Sequence, residues 1–466
     1  MKCSRFVLIS VSFLILFGAA IENVSAFQRI FRSRSANSGY AEQETVKDTE
    51  SSNLKNNAFV SVSEKFLAVP FKTQRSENID INEMINGTHV TGTGVMEAKS
   101  TGNVVSGTNS GVIAINVDGT LNSSTVGRQS VVTVFSDTTT FLHGVKNIYI
   151  SPESITTSYA SATAEQDSTV TGMNIRGGKI VRCIAKQAAA EKRPETEAIG
   201  RERTRRRFED RIDSQVDERI AKVNENYQKK FREPLLKENL FPQALNFSSS
   251  EDRLNAFFVF GNSQQPAADS DIPGNIQQND VLFQIHQTAV NNFAALSLGG
   301  KTFDEEKIAA DVKNADNPFH FLSGLFNRND DDKPLIVKFA EGNPVDVSFN
   351  GNTINAVIKA DAFAQEGKQY PGLEITLSYK VKKEGNKIII EQSAAPAVGS
   401  RDGKKVGASQ TIIQTVVKRR LGKLEPQRVL KELEPKGEWE GKGKLVPNFI
   451  DSQNGWFSLS YNWVEK

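Results

Sequence analysis

The sequence predicts an α+β protein: two mainly antiparallel β lobes with short helices, joined by a long charged amphipathic helix. Three observations carry this expectation. Residues 58–183 are rich in threonine, serine, valine and glycine, and β-branched side chains suit a pleated sheet. In residues 195–233 glycine is nearly absent, charge dominates, and apolar residues return every three or four positions, as on one face of a helix. Residues 345–381 alternate apolar and polar side chains with the period of two that a half-buried strand requires.

The opening 26 residues read as a secretory leader that is cleaved. Lys2 and Arg5 supply a basic start, 6–21 is nearly all apolar, and Val24-Ser25-Ala26 places a small side chain where the peptidase cuts, so the mature chain is expected to begin at Phe27. The apolar run of about 16 residues is shorter than the roughly 20 that a bilayer crossing needs. No later stretch approaches that length, so the expected location is secreted or periplasmic, with no transmembrane span once the leader is gone. Cys3 precedes the apolar run, whereas lipid attachment requires a cysteine just after it. Cys183 then stands alone, and no internal disulfide is expected. With 57 basic and 55 acidic residues the charges nearly cancel, which gives no global pull toward nucleic acid or acidic membranes.

The organisation expected along the chain is a leader over 1–26, a disordered linker over 27–57, a β-rich lobe over 58–183, a long helix over 184–237, a connecting region over 238–279, an α+β lobe over 280–395, and a C-terminal helix with closing strands over 396–466. The linker carries Arg29, Arg32 and Arg34 and too little apolar surface to fold. In the first lobe a short helix is expected at 63–67, stopped by Pro70, followed by short strands broken by glycines at 112–117, 130–135 and 145–150. Asp118-Gly119 tolerates the positive φ of a tight turn and is read as a hairpin.

For the long helix, Pro194 suits a first helical position and Pro234 marks the far end. Phe208, Ile212, Val216, Ile220, Val223, Tyr227 and Phe231 form one narrow stripe, expected to pack within the chain rather than as a dimer seam. Glu218 with Lys222 and Glu225 with Lys229 are spaced for pairing across one turn. Roughly 39 helical residues would reach about 58 Å.

In the second lobe 281–285 reads as a strand and 288–298 as a helix ended by Gly299-Gly300. Thr302 and Glu305 have capping-box spacing ahead of a further short helix. Val345, Val347 and Phe349 lead to a turn at Asn350-Gly351, and Ile354, Ala356 and Ile358 alternate after it. Ile412, Ile413, Val416, Val417 and Leu421 mark an amphipathic helix. Asn454-Gly455 turns into a last strand whose Phe457, Leu459, Tyr461 and Trp463 share a face, expected to pack on the core or, alternatively, to serve as a carbohydrate platform.

The segments 59–67 and 282–293 share an order of strand, polar step and short helix followed by meandering strands, which suggests two related units. Repeated sheets wrapped on long helices are similar to the architecture of tubular lipid-binding proteins, an analogy of element order alone. The stretches Phe208-Glu209-Asp210-Arg211-Ile212-Asp213 through Phe231-Arg232-Glu233-Pro234-Leu235, Ile285-His286-Gln287-Thr288-Ala289-Val290-Asn291-Asn292, and Asn454-Gly455-Trp456 resemble uncharacterised exported proteins of planctomycete-type bacteria, over about the last 260 residues. That resemblance implies no activity.

His89, His143, His286 and His320 sit in unrelated segments without metal-ligand spacing. His286, among Gln284, Gln287, Asn291 and Asn292, is either a general base or, more simply, a strand-end histidine with its hydrogen bonds satisfied. Gly107-Thr108-Asn109-Ser110-Gly111 displaces the serine of a hydrolase elbow and reads as a turn; Gly92-Thr93-Gly94 lacks the rest of a nucleotide fingerprint. Cys183 is expected to be an inert thiol at a strand end, or else a nucleophile activated by Arg182 or Lys186. Asn327, Asn329 and Asp331 alternate like calcium ligands but lack the turn glycine and distal glutamate. Arg201, Arg203, Arg205, Arg206 and Arg207 share their turns with Glu197, Glu202, Glu209 and Asp210, so they read as a solvated helix rather than a nucleic-acid contact.

No residue set therefore qualifies as catalytic, cofactor-binding or metal-ligating, and no cofactor is expected. The leading expectation is a non-catalytic exported structural or binding protein of the cell envelope, elongated by its helix. The alternatives are a carrier of lipid or amphiphile in a sheet-and-helix groove, and an envelope hydrolase. A lipid or envelope component is the expected partner, and nucleic acid is not.

Overall fold

The computed structural model describes residues 55–274, 279–305, 333–401, 407–422, 424 and 426–466. The leader, most of the linker, the short helix expected after Glu305, His320 and the candidate calcium ligands Asn327, Asn329 and Asp331 lie outside those residues. The fold is α+β, with antiparallel sheets and one long helix.

Strand β1 (Ala58–Ser63) runs into a single helical turn, α1 (Glu64–Leu67), where Ser63 Oγ accepts the Phe66 amide. A meander follows: β2 (Thr73–Ile85), β3 (Thr88–Val105), β4 (Gly111–Gln129), β5 (Val132–Ile150), β6 (Ile155–Thr157) and β7 (Ser161–Ile175). The long helix α2 (Lys179–Tyr227) leads through a π turn and α3 (Glu233–Lys237) to the hairpin β8 (Ala244–Ser249) and β9 (Arg253–Val259). The second half repeats this order with β10 (Val281–His286), α4 (Gln287–Leu298), a meander of β11 (Thr302–Asp304), β12 (Ile336–Phe339), β13 (Val345–Asn350), β14 (Thr353–Gln365), β15 (Lys368–Glu384) and β16 (Lys387–Ser400), then helix α5 (Ala408–Leu421). Strands β17 (Gln427–Leu430), β18 (Gly443–Gln453) and β19 (Trp456–Glu465) close the chain.

Among the described residues the strands form three sheets. One has the order β18-β19-β10-β1-β9-β8, so the two strands that open each half, β1 and β10, are antiparallel neighbours with Val60 opposite Phe283, and each is flanked by the hairpin that ends its own half. The two segments singled out by element order in the sequence thus meet in the middle of one sheet. The other sheets are the two meanders, β2-β3-β4-β5-β6 with β7 on β5, and β11-β12-β14-β15-β16-β17 with β13 on β14. The chain divides into two compact units: Leu67–Lys222 with Ser248–Leu254, and Met1–Phe66, Val223–Phe247 and Asn255–Lys466.

In the unit built on Leu67–Lys222 the strands are far longer than the glycine-broken pieces expected. β4 and β5 have 19 residues each, roughly 60 Å of extended chain. Asp118-Gly119 is not a turn but the middle of β4, paired with His143 and Leu142 of β5. The turns fall instead at Asn86-Gly87, with φ of 46° and 79°, and at Ser130, with φ of 54°. Glycine serves a different purpose in this sheet. A Cβ on Gly119 would stand 3.2 Å from the Phe208 ring, and one on Gly144 would stand 2.5 Å from Ile212 Cδ1 and 3.0 Å from Phe208. Bare backbone at those two points lets the helix lie close.

Phe208 and Ile212 accordingly bury against Leu142 and Ala162, with Met96, Val117 and Val216 around them. The helix stripe therefore packs within the chain. A polar row beside it fixes the register. Glu209 Oε1 accepts the Ala162 amide at 2.8 Å, Asp213 Oδ1 accepts the Ala160 amide at 2.8 Å, and Asp217 Oδ1 accepts the Thr157 hydroxyl at 2.7 Å. Lys146, almost wholly buried, donates to Asp213 at 2.5 Å and approaches Asp217 at 2.9 Å. Edge amides that lack a further strand are satisfied by carboxylates spaced four apart on one helix face. The helix also begins 15 residues before Pro194, at Lys179, so that proline is interior rather than first. It forfeits one backbone bond, while Arg193 beside it reaches the Ser168 carbonyl at 2.5 Å. The two expected helical ion pairs form, Glu218–Lys222 at 2.7 Å and Glu225–Lys229 at 2.6 Å.

In the other unit Phe66 stacks on Trp439 at 5.2 Å and meets Trp463 edge-on at 5.3 Å, and the Trp439 indole donates to the Phe66 carbonyl. The β13–β14 turn uses Gly351 and Asn352, with φ of 57° and 58°, one residue later than expected. The Asn454-Gly455 turn is where the sequence placed it, with φ of 52° and 76°. Strand β19 is buried on both faces over Trp456–Tyr461, so its aromatic face is core and offers no carbohydrate platform. Ile413, Val417 and Leu421 bury α5. Thr302 lies in β11, and the helix expected after it is outside the described residues. Glu305 instead accepts the Leu335 amide at 2.7 Å and pairs with the fully buried Arg420 at 2.9 Å, because a buried carboxylate is held by a cation and an amide rather than spent on a helix end.

Candidate functional site

The candidate site is built by a change of side-chain size along one face of α2. From Phe208 onward that face carries Phe208, Ile212, Val216 and Ile220, which fill the space over the sheet. Toward the N-terminus it becomes Thr204, Gly200 and Thr196 and, past the turn that carries Lys192 and Arg193, Ala189 and Ala185. The alanines, glycine and threonines are too short to fill the space to the strands opposite, although Arg193 among them reaches the Ser168 carbonyl. A cleft of about 620 Å³ is left between helix and sheet.

The floor of the cleft is the helix-facing side of the meander. Because alternate residues of a strand point to one face, Leu121 on β4, Val132 and Val134 on β5, and Val90 on β3 all line it, with Val170 and Met173 of β7 at the side. Its charged groups on the helix are Lys186, Lys192, Arg193 and Glu197, and the strands set Glu83 and polar side chains such as Ser123, Thr125, Thr138, Thr140 and Gln166 among the aliphatics. Arg193 is held by Glu197 at 2.6 Å and by the Ser168 carbonyl. Glu83, on the wall toward Phe208, is bound by Arg203 at 3.2 Å and Arg207 at 2.6 Å. A second cavity of about 150 Å³, lined by Phe208, Met96 and Val117, lies where the large side chains begin. Such a space can hold an apolar chain with an acidic or phosphorylated end near the lysines.

The residues weighed from sequence fall elsewhere. His286 ends β10 and caps α4: its Nδ1 accepts from the Thr288 amide at 3.3 Å and lies 2.9 Å from the Thr288 hydroxyl. Nε2 stands 3.1 Å from Asp269 Oδ1 without hydrogen-bond alignment, and the ring lies 5.1 Å from that of Trp456. Burial pushes its pKa down, against an opposing pull from Asp269. The amides near it in sequence do not converge on it. Gln284 donates to the Pro273 carbonyl and to Ser458, Asn291 brackets Val347, and Asn292 donates to the carbonyls of Phe260 and Pro266. They staple loops to strands.

Cys183 is exposed on α2, not at a strand end as expected, since the helix starts before it. His89 pairs with Asn82, and His143 with Asp118, on exposed strand positions. Gly92 and Gly94 lie inside β3, and 107–110 falls in the β3–β4 connection with Gly111 opening β4. Arg203, Arg205, Arg206 and Arg207 are each bound to a carboxylate, and the guanidinium groups of Arg205 and Arg206 pull the Glu202 carboxyl down to about 2. Among the described residues no three side chains are grouped to hold a metal ion.

The cleft itself was not found from sequence. Its signals were present, in the run Ala188-Ala189-Ala190 upstream of Pro194 and in the spaced valines of 58–183. They became a site only when the meander packed beneath the small-residue end of the helix.

No protein-family model matches the chain, and no curated protein matches it. Among solved structures it is similar to the crystal structure of lipopolysaccharide binding protein, at a TM-score of 0.30 and 11% identity over 89% of this chain and 100% of that one. A likeness of that degree assigns neither family nor function.

Proposed function

We propose that the chain is an exported, non-catalytic binding protein that holds the apolar chain of an amphiphile between α2 and the first meander. The observation that carries this reading is the cleft of about 620 Å³, where Ile81, Val90, Leu121, Val132, Val134 and Val170 are set among serines and threonines of the sheet beneath the alanines, glycine and threonines of the helix. Ligand sites of this kind run from roughly 300 to 1,000 Å³, mostly apolar with a few placed polar groups. Lys186 and Lys192 on the helix suit a carboxylate or phosphate end. Export rests on the leader alone, and N-terminal sequencing of native protein that starts at Met1 would remove it from the proposal.

The test of binding is a displacement titration with fatty acids of increasing length against a fluorescent fatty acid. Each methylene buried contributes about 0.8 kcal/mol, so affinity should rise about fourfold per methylene until the cleft is full. A response flat with chain length overturns the reading.

A further inference from the structure

The start of α2 carries an arrangement that neither the fold nor the cleft requires. Ile180 is 77% exposed, Ile184 65% and Val181 44%. Four residues apart, the two isoleucines share one helix face, and Val181 lies beside them. Val131 of the β4–β5 turn is also exposed, and its carbonyl accepts the amide of Arg176, just ahead of the helix, at 3.0 Å. Arg176, Lys179, Arg182 and Lys186 occupy the same stretch, all exposed.

Charge is balanced over the whole chain but not here. Between Ser168 and Ala190 there is no aspartate or glutamate, nor is there one in residues 119–136 of the neighbouring strands. Further along the helix the pattern changes: Arg193, Arg205, Arg206, Lys222 and Lys229 each pair with a glutamate three or four residues away. Among the described residues no ion pair holds Arg176, Lys179, Arg182 or Lys186. Exposed large aliphatics are unfavourable in water, and beside cations that no carboxylate neutralises they are complementary to an anionic bilayer, where the aliphatics enter the acyl boundary and the cations meet headgroups. No helix among the described residues is long and apolar enough to cross a membrane, so the contact is with its surface. Lys186 and Met173 also line the cleft, so the patch is continuous with it.

We propose that this end of the Leu67–Lys222 unit, formed by Arg176, Lys179, Ile180, Arg182 and Ile184 with Val131, docks on the surface of an anionic lipid bilayer. The contact does not depend on the cleft being filled. The test uses the mature chain from Phe27, in which Cys183 is the single thiol, labelled with a polarity-sensitive fluorophore. Vesicles of phosphatidylcholine alone are compared with phosphatidylcholine mixed with phosphatidylglycerol. Sedimentation with the mixed vesicles only, a blue shift of the label, and release by salt are expected. Neutralising a cation near such a surface weakens binding roughly fivefold, so K179Q with R182Q should lower partitioning about 25-fold. I180S with I184S should abolish the blue shift while leaving fatty-acid displacement unchanged. Equal partitioning on both vesicles, indifference to both variants, or retention on polyglutamate without vesicle binding overturns the proposal. A flat fatty-acid titration with vesicle binding intact sinks the cleft reading alone.

Discussion

Filling the cleft from the helix side separates stability from binding. Gly200 lies within α2, and the nearest atom to a Cβ built on it is Ile85 Cδ1 at 3.9 Å, an ordinary contact. Glycine inside a helix costs roughly 0.8–1 kcal/mol relative to a good helix former. Gly200→Leu should therefore stabilise by nearly that much, raising Tm by about 2–4 °C for a unit of this size. The four added carbons displace a similar volume of bound chain at about 0.8 kcal/mol per methylene, up to about 3 kcal/mol or a hundredfold in Kd. A ligand that slides along the cleft recovers part of this, so at least a tenfold loss is expected. Differential scanning calorimetry and the displacement titration read the two effects on the same protein. Unchanged affinity refutes the cleft as the site, and a lowered Tm refutes the spacing between helix and sheet.

Asp213→Ala leaves the buried Lys146 with only the more exposed Asp217 and orphans the Ala160 amide. A loss of about 3 kcal/mol is expected from chemical denaturation, and a loss below about 1 kcal/mol would mean the row does not anchor the helix. Glu305→Ala strips the buried Arg420 of its carboxylate and should cost about 3–5 kcal/mol in the same assay. Burial lowers the His286 pKa, so the unfolded chain takes up that proton first. Stability should be fully present above about pH 6.5 and fall as pH drops below it, through the folded-state value. His286→Asn, which keeps a capping side chain, should flatten that slope in urea unfolding at several pH values; an unaltered slope assigns it to other groups.

Local chemistry was enough for the elements whose rules act within a few residues. The period of two in 345–381, the Asn454-Gly455 turn, the short helix before Pro70 and the glutamate–lysine pairs of α2 all depend on neighbours in sequence, and each is where its pattern places it. What only the tertiary structure decided depends on what lies opposite. Asp118-Gly119 has the dihedral freedom of a turn, yet Gly119 is used for the approach of Phe208, almost ninety residues away in sequence. Glu305 has the spacing of a cap, yet it is held by Arg420. The alanines before Pro194 are unremarkable as helix, and they roof a cleft because the strand side chains opposite them, among them Val132, Val134 and Val170, leave the space between unfilled. Periodicity specifies which face of an element is apolar; only packing specifies whether that face is filled, and an unfilled face is where this protein has room for a ligand.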